Sequence, residues 1–497
     1  MPEITSEMLI SHDAHETRVA VVEDRRLVEL YIERPKRSVV GNVYLGKVRD
    51  VLPGMQAAFV DIGLEKNAFL YVDEVVTPED VAGAPRRDIQ TLLKPGQQLM
   101  VQVLKDPMGT KGARVTTEIT LPGRFLVLMP FAPFIGISRK LEEEERERLE
   151  RIITPMVPDG VGVIVRTAAT GSSERELEGD LEFLLRLWRR VQNQSREGLA
   201  PEVVYTEMDV ALRLVRDAFS EDFRRLVIDD KRVYEKVTSF LRKTAPKLMK
   251  RVHLHKDKGS LFDAHGLQRD IDSAVLREIP LPSGGHITID KTEALTAIDV
   301  NTGSYVGRKN LEDTVVRTNL EAASEAVRQL RLRDIGGIIV IDFIDMQDPE
   351  NRQTVLARLS QALERDRTKT RVSDMSRLGL VELTRKNVTD GLYGVLTEPC
   401  PLCHGDGRVL SDATKRIIVE RKLREILVAG KSSAYLVGLN PQTYALVHAP
   451  GNNAIALLRA ESGRQLSVIA DPDVEPTEVR ILIAGKAGSL GPDIGAE

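Results

Sequence analysis

Apolar and polar residues alternate over positions 17–22 and 27–33, either side of a short polar turn at Asp24. That period-two pattern, rich in Val, Leu and Ile, predicts a β-hairpin. Pro35-Lys36-Arg37 breaks it. From 39 to 116 short alternating runs recur between Gly46, Pro53-Gly54, Gly63 and Pro95-Gly96, a spacing that suits a small β-barrel. The Pro-, Gly- and Ala-rich stretch 77–87 interrupts it as a loop or insertion. Residues 142–151 mix acids and bases in the manner of a solvated helix face. After a Gly-flanked strand at 160–167 the period becomes helical: Leu177, Leu181, Leu184, Trp188 and Val191 form one stripe, predicted to be core. Residues 207–276 mix helix and strand. Beyond Pro280, strands at 287–289, 295–300 and 338–344 alternate with helices at 311–332 and 351–366, an α/β layer pattern. Residues 413–497 open with a helix and close with short strands and a Gly/Pro tail.

Strand parity also sorts the polar residues. Asp299 and Asn301 share one face of their strand, as do Val340 and Asp342 of theirs. An ionised carboxylate in so apolar a strand is costly unless something positive compensates it. If the two strands are neighbours, both carboxylates converge on one hard cation, and Mg²⁺ takes one or two carboxylates plus water or phosphate oxygens. The competing reading is that each Asp caps the segment after it. For Asp348, followed by Pro349, the cap is the reading adopted.

On the barrel, Phe59 shares a face with Asp61, opposite Ala58, Val60 and Ile62. Phe69 and Tyr71 likewise oppose Ala68, Leu70 and Val72. Aromatics on the polar side of a small barrel suit stacking by single-stranded nucleic acid, with Lys105, Lys111 and Arg114 available for phosphates. A minor second core under the 77–87 insertion is the alternative. Arg166 and Thr167 at a strand end match a terminal phosphate in chemistry, but the pair by itself is read as a surface strand end.

Composition narrows the class. The 497 residues, 42% hydrophobic and 29% charged, describe a folded chain of about three domains or a few more. Seventy basic against 74 acidic side chains leave a net charge of −4, so any nucleic-acid site rests on local clustering. The apolar runs are too short to cross a bilayer, and residues 1–11 carry acids where a signal peptide has bases, so a cytoplasmic protein without stable membrane insertion is expected. His253, His255 and His265 lie along a basic stretch without metal-ligand spacing. The only two cysteines form Cys400-Pro-Leu-Cys403, followed by Gly405 and Gly407: half of a zinc knuckle, with a redox pair as the rival reading. Four thiolates then need two chains.

Taken together, 57–63, 162–167, 295–303, Thr318-Asn-Leu-Glu-Ala322, 329–346 and 400–407 resemble one family, the ribonuclease E/ribonuclease G endoribonucleases, closest to its ribonuclease G branch. The resemblance spans nearly the whole chain in family order. It implies an α+β multidomain fold: a discontinuous ribonuclease H-like subdomain (1–37 plus 212–276), an OB-fold RNA-binding barrel (38–122), a 5′-sensor subdomain (123–211), a deoxyribonuclease-I-like catalytic subdomain (277–399), a zinc link (400–412) and a small C-terminal domain (413–497). It implies Mg²⁺ on Asp299 and Asp342, with Asn301 positioning the scissile phosphate. Phe59, Phe69 and Lys111 then lie on the RNA-binding surface. Arg166 and Thr167 fall on the sensor for a 5′-monophosphate. Cys400 and Cys403 match a structural Zn²⁺ shared between two chains, giving a homodimer, or a tetramer of such pairs. Where the sensor pattern calls for a supporting Arg, the run 365–371 offers Lys369, which keeps the charge and loses the fork. The implied activity is hydrolytic cleavage of single-stranded RNA in rRNA processing and mRNA decay. The alternative is an inactive RNA-binding or ribosome-assembly factor on the same scaffold.

Overall fold

The computed structural model describes residues 5–34, 38–76, 88–107, 111–257, 259–303, 311–376, 378–386, 391–403 and 405–487. They divide into two compact units, Met1–Thr397 and Glu398–Glu497.

Among the described residues, four sheets build the first unit. The predicted hairpin is present as Thr17–Glu23 and Arg26–Glu33, with both turn residues, Asp24 and Arg25, at positive φ. That mirror-image turn matches the twist of the paired strands. A strand not anticipated from sequence, Ser6–His12, lies at the centre of this five-stranded sheet, antiparallel to Thr17–Glu23 and parallel to Phe223–Ile228. Of its four buried residues, Met8 to Ser11, Met8 and Ile10 enter one core, covered by helices Val210–Asp217 and Lys231–Thr244, and Leu9 enters another on the opposite face.

The barrel forms as expected. Val43–Leu52, Ala57–Asp61, Ala68–Tyr71, Arg114–Thr116 and Gln98–Lys105 follow one another, and Val43–Leu52 pairs back onto Gln98–Lys105 to close it. Gly46 permits that closure, because a Cβ there would sit 2.6 Å from Val60 Cγ1. The 77–87 segment lies outside the described residues.

A four-stranded sheet, Ile135–Ile137, Gly162–Val165, Leu126–Met129 and Leu121–Pro122, carries helices Glu143–Ile153 and Glu174–Glu197. The Leu177–Val191 stripe is buried against it, Trp188 included. The fourth sheet runs Glu278–Pro280, His286–Lys291, Leu295–Asn301, Gly337–Asp342, Leu380–Arg385, Thr370–Val372. Helices Leu311–Leu332 and Pro349–Leu363 bury one face, with Ile298, Val300, Ile339, Ile341, Val381 and Leu383 beneath them. The strand predicted to reach 344 ends at Asp342, and Asp348 caps the following helix by accepting from Glu350 N–H at 2.8 Å.

The second unit is a three-stranded sheet, Gln465–Ala470, Ala434–Leu439 and Arg480–Gly485, with helices Asp412–Ala429, Pro441–Val447 and Ala454–Ser462. Among the described residues no helix is long and apolar enough to cross a membrane.

Candidate functional site

Strands Leu295–Asn301 and Gly337–Asp342 are parallel neighbours, and Asp299 stands in register with Asp342. Alternation explains the face. Thr296, Ile298 and Val300, with Ile339 and Ile341, turn into the core, so both aspartates leave the opposite side at a strand spacing of about 4.8 Å. Both carboxylates are exposed, which corrects the expectation of costly anions inside an apolar strand. Asn301 donates from Nδ2 to Asp299 Oδ2 at 2.7 Å. Partial desolvation against the sheet, then the Asp299 and Asp345 carboxylates, raises the proton affinity of Asp342. Two adjacent carboxylates on one face give an all-oxygen donor pair, which suits a hard divalent cation. Among the described residues no group of three or more His, Cys, Asp or Glu is placed to hold a metal ion.

Asp345 was not singled out from sequence, since it lies past the strand and outside its parity. Nor was Asn319, whose fully buried amide holds the loop that carries Asp345. Its Nδ2 donates to the Ile344 carbonyl at 2.8 Å, and Ile344 N–H donates back to Oδ1 at 3.1 Å.

On the barrel, Phe59 and Phe69 are register partners and touch edge to face at 6.0 Å between ring centroids. Both are half-buried, and so is Tyr71, while Ala58, Val60, Ala68 and Leu70 are enclosed. Parity therefore assigned the faces correctly. Lys105 and Lys111 are exposed. Arg114 donates to Glu74 Oε1 at 2.8 Å, so it is less available to phosphates than the sequence reading assumed.

Arg166 directly follows strand Gly162–Val165, and Thr167 opens the next turn. Arg166 Nη1 donates to the Gly123 carbonyl at 2.8 Å and to Asp217 Oδ1 at 2.6 Å. Thr167 Oγ1 lies 2.8 Å from Ser138 Oγ. The buried Asp180 carboxylate accepts from the backbone of Arg124, Phe125 and Leu126 and so fixes the strand start beside Gly123. Gly171, in the same turn, donates to Glu145 Oε1 at 2.8 Å. Arg148 and that N–H together hold Glu145 down at a pKa of about 2. A cavity of about 400 Å³ opens beside Thr167 and Thr170. Lys369 is exposed, and its run adjoins this region where Lys140 Nζ reaches the Arg367 carbonyl at 3.5 Å.

In the second unit, Cys400 is an exposed free thiol and Cys403 a half-exposed one. Backbone N–H groups of Cys403 and Leu402, then the Cys403 side chain, pull the Cys400 thiol below its ordinary range. Hydrogen bonds from the backbone to sulfur favour the thiolate, the form a metal takes. Gly405 and Gly407, both at positive φ, turn the chain away. His404 lies outside the described residues. His253 is exposed, and His265 contacts Arg225 and the Leu261 carbonyl.

Comparison with known proteins bears on this arrangement. The profile of the Ribonuclease E/G family matches residues 120–388, more than half of the chain. Ribonuclease G of Escherichia coli (strain K12) is 41% identical over 477 residues, covering 94% of this chain and 98% of its own. Ribonuclease G of Haemophilus influenzae is 42% identical over 443 residues, or 88% of this chain and 90% of its own. Ribonuclease E of the latter organism is 41% identical over 416 residues, which is 82% of this chain and 44% of that longer protein. The chain belongs to the ribonuclease E/G family.

Proposed function

We propose that this chain is an endoribonuclease that hydrolyses single-stranded RNA in rRNA processing and mRNA decay. The in-register pair Asp299 and Asp342, with Asn301 bonded to the first, carries the reading. The pair would hold one Mg²⁺, which supplies a Lewis acid for phosphate charge and acidifies a bound water. Asp299 fixes one Asn301 N–H, which leaves the second amide N–H as the donor to a scissile phosphate. Water adds at phosphorus as the P–O3′ bond breaks, leaving a 5′-phosphate and a 3′-hydroxyl. Phe59 and Phe69 stack bases, Lys111 meets backbone phosphates, and Arg166 with Thr167 engages a 5′-monophosphate that stimulates cleavage. A purely RNA-binding factor would have no use for two adjacent carboxylates on the sheet, where they repel its ligand. Cys400 and Cys403 supply two of four thiolates for a Zn²⁺ shared with a second chain in a homodimer.

The test is cleavage of a labelled, 5′-monophosphorylated single-stranded RNA by the wild type and by Asp342→Asn, with Mg²⁺ and with a chelator. Cleavage should vanish in the variant and with chelator, while RNA binding survives, because affinity comes from phosphate and stacking contacts elsewhere. Near-normal cleavage by the variant would remove the two-Asp centre from the mechanism.

A further inference from the structure

An Arg that recognises a terminal phosphate must present one edge of its guanidinium and keep it there. Arg166 is held by the other edge. Its Nη1 directs both hydrogens inward, to the Gly123 carbonyl at 2.8 Å and to Asp217 Oδ1 at 2.6 Å. Its Nε and Nη2 have no hydrogen-bond partner among the described residues, and neither is a buried orphan. The Nε–Nη2 edge is the fork that matches two oxygens of a phosphate.

Asp217 is itself immobilised. Arg216 donates to Asp217 Oδ1 from Nε at 3.0 Å and to Oδ2 from Nη2 at 3.1 Å. The Arg216 side chain is 3% exposed and spends Nη1 on Glu207 Oε1 at 2.9 Å and on the Pro122 carbonyl at 3.2 Å. Burial alone would raise the Asp217 pKa, but Arg216 and Arg166 outweigh it and hold the carboxyl below its usual range. Arg166, Asp217, Arg216 and Glu207 thus form a charge-balanced row, anchored at Pro122 beside the carbonyl that grips Arg166. A fixed partner on one edge removes rotamer freedom that a free Arg would lose on binding.

We propose that Asp217 is a positioning residue for 5′-end recognition: it locks Arg166 by Nη1 so that the Nε–Nη2 fork faces the terminal phosphate. This inference rests on the 5′-monophosphate reading of Arg166 given above.

The experiment compares cleavage of one RNA bearing a 5′-monophosphate with the same RNA bearing a 5′-hydroxyl. It uses full-length wild type, Asp217→Asn, Arg166→Ala and the double variant, with folding followed by circular dichroism. Asp217→Asn should lower the monophosphate-to-hydroxyl rate ratio by about threefold to tenfold, mainly through KM for the monophosphorylated RNA. In the Arg166→Ala background Asp217→Asn should change the ratio no further, which a general structural role would not produce. Should Asp217→Asn yield too little folded protein, Asp217→Glu keeps the partner of Arg216 but displaces the carboxylate by one methylene, and the ratio should again fall. A lowered ratio in Arg166→Ala with a normal ratio in the Asp217 variants overturns the positioning role alone. An increased ratio in Asp217→Asn would make Asp217 a competitor of the phosphate and overturns it too. If Arg166→Ala leaves the ratio at the wild-type value, the 5′-end reading falls, and this inference with it.

Discussion

Arg385 Nε donates to Asp366 Oδ2 at 2.7 Å, and both side chains are almost wholly enclosed. The same guanidinium reaches Asp334 Oδ1 at 2.8 Å and the Ile335 carbonyl at 3.0 Å. Arg385 ends strand Leu380–Arg385, whose opposite end, Leu380, pairs with Asp342. Removing the cation leaves Asp366 buried and uncompensated. Arg385→Leu should therefore cost about 3–5 kcal/mol in urea or thermal denaturation. A loss no larger than that of an exposed ion pair would mean that water reaches Asp366.

The edge-to-face pair on the barrel makes a separable prediction. Phe59 is half-buried rather than enclosed, so Phe59→Ala should weaken RNA binding by roughly 1–3 kcal/mol. A stability loss of about 3–5 kcal/mol, the range for a core Phe, would reassign the residue to packing. Filter binding and a melting curve on one preparation distinguish the two.

The turn after Arg166 should respond to acid. Glu145 has its folded pKa at about 2, below its ordinary 4.5. Its contribution is complete above the unfolded value and is lost as pH falls from about 4.5 towards 2. At pH 7, Glu145→Gln should speed amide exchange at Gly171, whose N–H loses a charged acceptor. The difference from wild type should shrink steadily below pH 4.5. A pH-independent difference would assign the effect to shape rather than to charge.

Metal content tests the cysteine pair. Each chain brings two thiolates, so a four-thiolate zinc implies one metal per two chains. Cys400→Ser should lower zinc in elemental analysis and shift sedimentation towards monomer. One zinc per chain in the wild type would require ligands from within the same chain and would refute the shared site.

Period-two alternation was enough to orient Phe59, Phe69, Asp299 and Asp342, because a strand sends successive side chains to opposite faces whatever it pairs with. Helical spacing likewise identified the Leu177–Val191 core stripe, and Pro349 after Asp348 identified a capped helix start. These are local properties of backbone geometry, written within a few residues. Sequence did not reveal that Ser6–His12 is a central strand, since that depends on Phe223–Ile228 more than two hundred residues away. It could not say that the aspartates emerge on the open face of the sheet, because exposure depends on which side the two helices cover. Asp217 carried no local signal: its partner Arg166 lies 51 residues earlier, and only the tertiary fold brings the end of helix Val210–Asp217 within reach of the residue that follows strand Gly162–Val165. Periodicity fixes the direction in which a side chain leaves its element, whereas partner, burial and electrostatic balance arise only when distant elements pack.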